Sequence, residues 1–496
     1  MNPLVPEQTQ SSQKKPQQFI KRWDLALLYL PAIALFIWTH GIEGFNGYYG
    51  QDSHAYLAYC RKIVAFFHSG SLPGDFFWPV NYPMAGALIA LVPAIGKVSL
   101  PLVSLAAFLG LLRVFRGVLV QWLGAAPCSA SIFTLCSLGL SPVLLRASNL
   151  AMSDMLAMFL TFAGWHQAHR FFKQGSGRAF LTASVLAGLA IGTRYPSAVL
   201  LTIPGALTIL GIARHRQWRL LLPSLFLFLS GLFPTWLLTG AFPGVGDYAA
   251  SHHFSVVHWF QSEFPNHIDG HLRYSRINLA YIAEILYRPD YIWPILPAVL
   301  FLGPREFKRL EVKSALATCI GYLLIIAGLD MQNPRFLLPA LPFLVLPLFP
   351  AWQRVFASIP KFGFKVIFML AVAAFSVAIF LRLMAPMQQR QALESRIAAS
   401  IRSLPKETIY TFAMDSAIAA YDVKQAIVNL WQAPIDTFQV NGYVLFNQAR
   451  FAHQWRGRLP MTNWEHLQDT HHLILVNDYG EGWQLFKIGP LKTPHD

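Results

Sequence analysis

Asp52 stands in the stretch Gly50-Gln51-Asp52-Ser53-His54-Ala55-Tyr56, just past the first apolar run of the chain, which ends near Thr39. A carboxylate held there against a membrane surface can take a proton from an acceptor hydroxyl or amine. Its plainer reading is a helix cap, the side-chain oxygen accepting from a backbone N–H of the segment that follows. That segment, Tyr56 to Phe67, reads as a short amphipathic helix with an aromatic and aliphatic side suited to the lipid boundary.

Three further clusters place polar groups at the ends of apolar runs, where charge near hydrocarbon is costly and usually has a reason. Ser141-Pro142, Arg146, Asn149 and Ser153-Asp154 form one turn, with Asp154 opening a helix whose N-terminus favours a carboxylate. Arg194-Tyr195-Pro196 lies between two short apolar stretches. Its guanidinium needs an anion, either a carboxylate of this chain or a lipid phosphate. Arg335, in Pro334-Arg335-Phe336-Leu337-Leu338-Pro339, opens another helix. Its fork of donors suits phosphate, and the competing reading is a side chain snorkelling to the interface. His252, His253, His258, His267 and His271 share one long loop, but their spacing matches no usual metal signature. They read as pocket-lining or interfacial. No phosphate-binding Gly loop, GxSxG elbow or HExxH occurs, which removes the common soluble enzyme classes.

The elements that must position these groups are membrane helices. Of 496 residues, 54% are hydrophobic and 13% charged, the balance of a polytopic membrane protein. The net charge of +15 is spread over short loops rather than gathered in a groove, so nucleic acid is not expected as a partner. Residues 1–22 read as a cytoplasmic disordered tail. Apolar runs near 25–39, 100–122, 129–145, 150–168, 179–194, 197–213, 219–240, 291–303, 314–329, 335–351 and 366–384 predict about eleven spans, several of them short enough to be tilted or broken. Together they make a transmembrane domain over 23–385, with a first loop at 40–82 and a long one at 241–290.

Arg170/Lys173/Arg178, Arg214/Arg216/Arg219, Arg305/Lys308/Arg309/Lys313 and Arg354/Lys361/Lys365 fall on one side of this arrangement, and the positive-inside rule makes that side cytoplasmic. The Asp52 loop, the Asp154 turn, the Arg335 turn and everything after Arg382 then face outward. From residue 386 the pattern changes. Alternation at Glu407–Phe412, Ile427–Leu430, Gly442–Phe446, Leu473–Val476 and Trp483–Ile488 predicts strands, and Asn463–Asp469 a helix, giving a small extracytoplasmic α/β domain over 386–496.

In order, spacing and membrane side, these motifs resemble those of a GT-C-fold glycosyltransferase that uses a polyprenyl-phosphate sugar. This is the group of the protein O-mannosyltransferases and the bacterial aminoarabinose transferase of lipid A. The resemblance rests on Asp52-Ser53-His54-Ala55-Tyr56, on Ser141-Pro142 with Ser153-Asp154, on the stretch from Leu186 to Pro196, and on Pro334 to Pro342. It implies an outward-facing site in a multi-pass inner-membrane protein, with a cytoplasmic N-terminus and transfer with inversion from a lipid monophosphate. Asp52 matches the first-loop acid taken as general base. Many relatives carry two adjacent acids there, whereas this chain has Ser53, so a second acid is expected from Asp154 or Asp75. Arg194 and Arg335 match positions that hold the donor phosphate, and His54, Tyr56, Asp75, Tyr195 and His258 are expected around the substrate. The resemblance implies no metal and no cofactor. The expected partners are the polyprenyl-phosphate-linked donor, membrane lipids and a lipid, glycan or protein acceptor. The alternative is a transporter or flippase of a lipid-linked sugar, a class marked by paired repeats and charges at mid-membrane.

Overall fold

A computed structural model describes residues 14–240, 253–266, 269–359 and 361–493 of the chain. Residues 1–13 of the expected tail, and His252 and His267 of the long loop, lie outside the described residues. The first helix runs Lys14–Ile37 and closes in a π turn, Trp38–Ile42. It starts ahead of the apolar run, within the expected tail, because Lys, Gln and Arg are good helix formers and extend it past the hydrocarbon.

The chain is a mainly helical, multi-pass membrane protein. Among the described residues, Leu25–Ile42, Pro93–Leu123, Trp218–Thr239, Leu310–Ala327, Pro334–Ser358 and Phe362–Arg402 are long and apolar enough to cross a membrane. Pro127–Gly139 with Pro142–Ser148 adds another only as a pair bent by 76°, at a proline that cannot continue the helix ladder. The other apolar runs are helical but short, broken or more polar. Gly177–Ile191 is short, Thr202–His215 is cut off from Ser197–Leu200 at Leu201, and Trp293–Phe301 is a 3-10 helix around Pro297. Asp154–Gln174 carries His166, His169, Arg170 and Lys173 in its second half. Proline spacing also explains the Arg335 stretch. Pro334, Pro339, Pro342 and Pro347 remove backbone donors, so the span alternates between 3-10 and α turns.

The stretch from Leu186 to Pro196 positions Arg194 by close packing. A side chain at Gly188 would meet the carbonyl of Phe228, and one at Gly231 would meet the backbone of Gly188 and Leu189. The helices Gly177–Ile191 and Leu221–Thr239 therefore cross almost backbone to backbone. Asn81 locks the crossing, its Nδ2 donating to Gly231 O at 2.8 Å and Leu189 O at 3.2 Å while its backbone N–H donates to Gly192 O at 3.0 Å.

The basic clusters gather at one end of the bundle. Lys173 pairs with Glu311 and lies over the Trp122 ring, Arg309 reaches Trp122 O, and Arg354 pairs with Glu306. Asp154 starts the helix that Lys173 nearly ends. At 1.5 Å per residue, this helix sets the two ends about 30 Å apart, roughly the thickness of a bilayer's hydrocarbon.

Helix Phe362–Arg402 is 41 residues long, with Pro386 inside it. The expected domain boundary at 386 thus falls within a continuous helix, about 60 Å long and twice what a bilayer needs. Its last turns give Leu393, Ile397 and Ile401 to the core of the C-terminal domain, beside Phe446, Trp464 and Trp483. There β3 (Ile409–Thr411), β4 (Ile427–Asn429), β5 (Tyr443–Phe446), β6 (His471–Asp478) and β7 (Gln484–Leu491) form a mixed sheet in the order β4-β3-β5-β7-β6. β3 pairs in parallel with β4 and β5, and β7 pairs antiparallel with β5 and β6. A separate hairpin, β1 (Glu263–Asn266) and β2 (Gly270–Arg273), rests on this domain, with Gln454 Nε2 donating to Asp269 O and Arg458 Nη1 to Asn266 O.

Candidate active site

The first-loop helix runs Gly50–Ser69, starting ahead of the expected Tyr56. Its N-cap is Tyr49, so Asp52 lies inside the first turn rather than at the cap position. The helix dipole favours an acid in that turn. Its hydrogen-bond partner is across the bundle: Arg335 Nη1 donates to Asp52 Oδ2 at 2.9 Å. The other side of the same guanidinium, Nε and Nη2, donates to Asp154 Oδ2 at 3.1 and 3.0 Å. Asp154 Oδ1 takes Arg194. One carboxylate thus orients two guanidinium groups, one on each oxygen.

Burial divides the four groups. The Asp154 side chain is 1% exposed and Arg194 11%, whereas Arg335 is 23% and Asp52 35% exposed. Asp154 is the fixed anchor, and the Asp52–Arg335 pair is the part open to exchange. Arg194 also sits 5.0 Å over the Phe336 ring, and Asn333 caps the 3-10 turn that presents Arg335, accepting from its backbone N–H at 3.1 Å.

Asp52, Arg194 and Arg335 line a cavity of about 240 Å³ together with Tyr56, Phe77, Trp78, Ser153, Tyr195 and Asp269, and Asp154 holds the two arginines from behind its wall. Tyr56 hydrogen-bonds Ser153 at 3.0 Å and packs against the rings of Phe76, Trp78 and Tyr82. Burial, with Asp52 adding to it, pushes its hydroxyl up to about 12, so it stays protonated at any physiological pH. A larger cavity of about 770 Å³ lies between Asp154–Gln174, Gly177–Ile191, Thr202–His215 and Leu221–Thr239, but among the described residues no titratable side chain lines it.

The structure thus brings Asp52, Asp154, Arg194 and Arg335 together, with Tyr56 and Tyr195 beside them. It does not bring His54, Asp75 or His258 to that cavity. His54 is buried on the other face of the first-loop helix, its Nε2 3.2 Å from Glu394 Oε2. Asp75 is exposed, and His258 hydrogen-bonds Gly328 O at 2.9 Å. Among the described residues no group of three His, Cys, Asp or Glu side chains is arranged to hold a metal ion. Sequence reasoning missed Trp78, Ser153 as a partner of Tyr56, and Asp269. Trp78 carried the clearest signal, in an aromatic, proline-rich loop. Asp269 carried none, because only the docking of the β1–β2 hairpin brings it to the cavity.

No family model matches the chain, and no curated protein matches it. Solved structures do. ArnT from Cupriavidus metallidurans bound to undecaprenyl phosphate aligns with a TM-score of 0.57 at 13% identity, over 92% of this chain and 97% of that one. The apo state of the same protein aligns with a TM-score of 0.59 at 14% identity, over the same shares. The chain therefore shares its fold with these structures, the GT-C fold that the sequence motifs led us to expect. It extends over the membrane bundle and the C-terminal domain alike.

Proposed function

We propose that the chain is a membrane glycosyltransferase that moves a sugar from a polyprenyl-phosphate-linked donor to a lipid, glycan or protein acceptor on the outer face of the inner membrane. The observation that carries this reading is the sharing of Asp154 between Arg194 and Arg335, with Asp52 on the remaining edge of Arg335. Phosphate is a leaving group that needs little protonation but whose developing charge must meet fixed cations. Two arginines oriented by a buried carboxylate answer that need, and no metal is required by this chemistry.

With no donor present, Asp52 and Asp154 balance the two guanidinium groups, and Asp269 stands as a third carboxylate on the cavity lining. An arriving phosphodiester competes with Asp52 for Arg335 Nη1, while Asp154 keeps Nε and Nη2 in place. Displaced from that ion pair, Asp52 is available to the acceptor. The acceptor oxygen bonds to the anomeric carbon as the carbon–oxygen bond to phosphate breaks. The acceptor proton goes to Asp52, and the electron pair leaves on the polyprenyl phosphate. Attack from the side opposite the phosphate inverts the anomeric centre. Trp78, Phe77 and Tyr195 offer ring faces to the sugar, in a pocket of the mixed apolar and polar kind that binds small polar groups. The apolar cavity of about 770 Å³ includes Ile191, three residues before Arg194, and suits the polyprenyl chain.

The neighbour bound to undecaprenyl phosphate supports the choice of donor class. The outward assignment draws support from the basic clusters at the far end of the Asp154–Gln174 helix. The charges of the site lie at the end of the bundle opposite the basic clusters, rather than at mid-membrane, which favours an enzyme over a transporter. The test is a mass-spectrometric comparison of envelope lipids and glycans from cells with and without the protein. One acceptor class should lose the mass of one sugar residue, and identical profiles would overturn the assignment.

A further inference from the structure

The first-loop helix separates two cavities. Asp52 and Tyr56 face the one described above. His54, Leu57, Arg61 and Val64, spaced three, four and three residues apart, share the opposite face. That face borders a second cavity of about 600 Å³, closed by the Pro93–Val98 turn on one side and the C-terminal domain on another.

Three cations line this second cavity from three separate elements: Arg61 on the first-loop helix, Lys97 on the turn and Arg402 at the end of the long helix. The opposing charge is slight. Among the described residues Asp422 is the one carboxylate on the lining, it is largely exposed, and its contact with Arg61 is long, at 3.4 Å. Arg61 Nη2 also reaches Ala420 O at 3.4 Å, and Arg402 makes only a 3.4 Å contact from Nε to Ala398 O. Against these weak ties the cavity keeps an excess of two positive charges. Exposed aliphatic side chains lie beside it in the chain. Leu88, Leu91, Val92 and Ile95, just ahead of Lys97, are exposed, and the turn that carries Ile95 and Lys97 opens a membrane span, Pro93–Leu123.

Converging cations beside exposed aliphatic side chains at the end of a span fit one ligand chemistry: a phosphate oxyanion attached to an apolar chain. We propose that this cavity binds the phosphorylated head group of a membrane amphiphile, at a site distinct from the reacting centre and separated from it by the first-loop helix. The occupant would bridge that helix to the C-terminal domain through Arg61 and Arg402, behind the carboxylate at Asp52. The proposal does not depend on the reaction assigned above.

The test uses the full chain in nanodiscs of phosphatidylcholine containing a minor share of phosphatidylglycerol, with retained lipid read by native mass spectrometry. The combined variant Arg61→Gln, Lys97→Gln and Arg402→Gln alters only exposed side chains. It should retain phosphatidylglycerol at least about tenfold less well than the parent. Neutralising the same number of charges at the far end of the bundle, with Arg214→Gln, Arg216→Gln and Arg219→Gln, should leave retention at the parental level. Equal loss from both combined variants would mean diffuse surface attraction and overturn the site. A parental level in the first variant would overturn it as well. Inorganic phosphate supplies the remaining arm: if it binds the parent while phosphatidylglycerol does not, the lipid assignment fails.

Discussion

Arg335 Nη1 lies 2.9 Å from Asp52 Oδ2, an ion pair between residues 283 positions apart in the chain. It joins the first loop to the proline-broken span. If Asp52 is the general base, Asp52→Asn keeps the shape of the site and loses the proton acceptor. Turnover should then fall roughly 100- to 10,000-fold while the protein stays folded and binds donor. A purified variant with near-parental turnover would remove Asp52 from the chemistry.

Arg335 presents a fork to Asp154 and a third donor to Asp52, and Lys cannot reproduce that geometry. Arg335→Ala should raise the concentration of lipid-linked donor needed for half-maximal rate more than that of acceptor, and Arg335→Lys should restore it only in part. Equal behaviour of both variants and the parent at limiting donor would place the phosphate elsewhere.

Asp154 differs from Asp52 in being buried, and the two acids should separate in stability. Asp154→Ala leaves two guanidinium groups without their shared anchor, a loss of about 3–5 kcal/mol when a buried pair is broken. Thermal unfolding of the purified variant should shift down clearly, whereas Asp52→Asn should melt close to the parent. Matching melting curves for both would mean that Asp154 anchors nothing.

Much of this site was legible because its charges sit next to apolar runs, where a polar residue without a partner is costly. Asp52, Asp154, Arg194 and Arg335 stand out on that ground alone, and the structure joins all four in one ion-pair cluster, three of them lining one cavity. The pairing was not legible. The sequence leaves open whether Arg194 meets a carboxylate or a lipid, and that choice is made by long-range packing at Gly188, Gly231 and Asn81. His54 illustrates the other limit. Two residues from Asp52 on a helix means nearly opposite faces, so proximity in the motif placed it on the wrong side of the helix to share a pocket with Asp52. The strands of the C-terminal domain were legible from alternation, but the reach of the long helix through Pro386 was not. A proline usually marks a boundary, and only the packing of Leu393, Ile397 and Ile401 into that domain holds the helix together beyond it.

Gly188 tests the crossing that delivers Arg194. A methyl group there meets the Phe228 carbonyl, which is backbone and cannot rotate away. Gly188→Ala should therefore cost about 1–3 kcal/mol of stability through overpacking. It should also weaken donor use, because Arg194 follows directly from this helix end. Gly117→Ala, where the space is open, is the control and should match the parent on both measures.

The C-terminal domain is tied to the first-loop helix through a buried pair. Glu394 accepts from Arg390 Nε at 2.8 Å on one oxygen and lies 3.2 Å from His54 Nε2 on the other, with both His54 and Glu394 almost fully buried. Removing the carboxylate leaves Arg390 and His54 without that partner in the interior. Breaking such a contact costs on the order of 3–5 kcal/mol where both groups are buried. Glu394→Ala should therefore loosen the Gly50–Ser69 helix, seen as faster amide exchange there than in the distant helix Gly177–Ile191. Since the helix carries Asp52, turnover should fall while the apparent affinity for donor, set by Arg194 and Arg335, changes little. Glu394→Gln keeps the size and one acceptor oxygen, and should recover part of both losses. Unchanged exchange over Gly50–Ser69 in the Ala variant would show that the C-terminal domain does not hold the base in place.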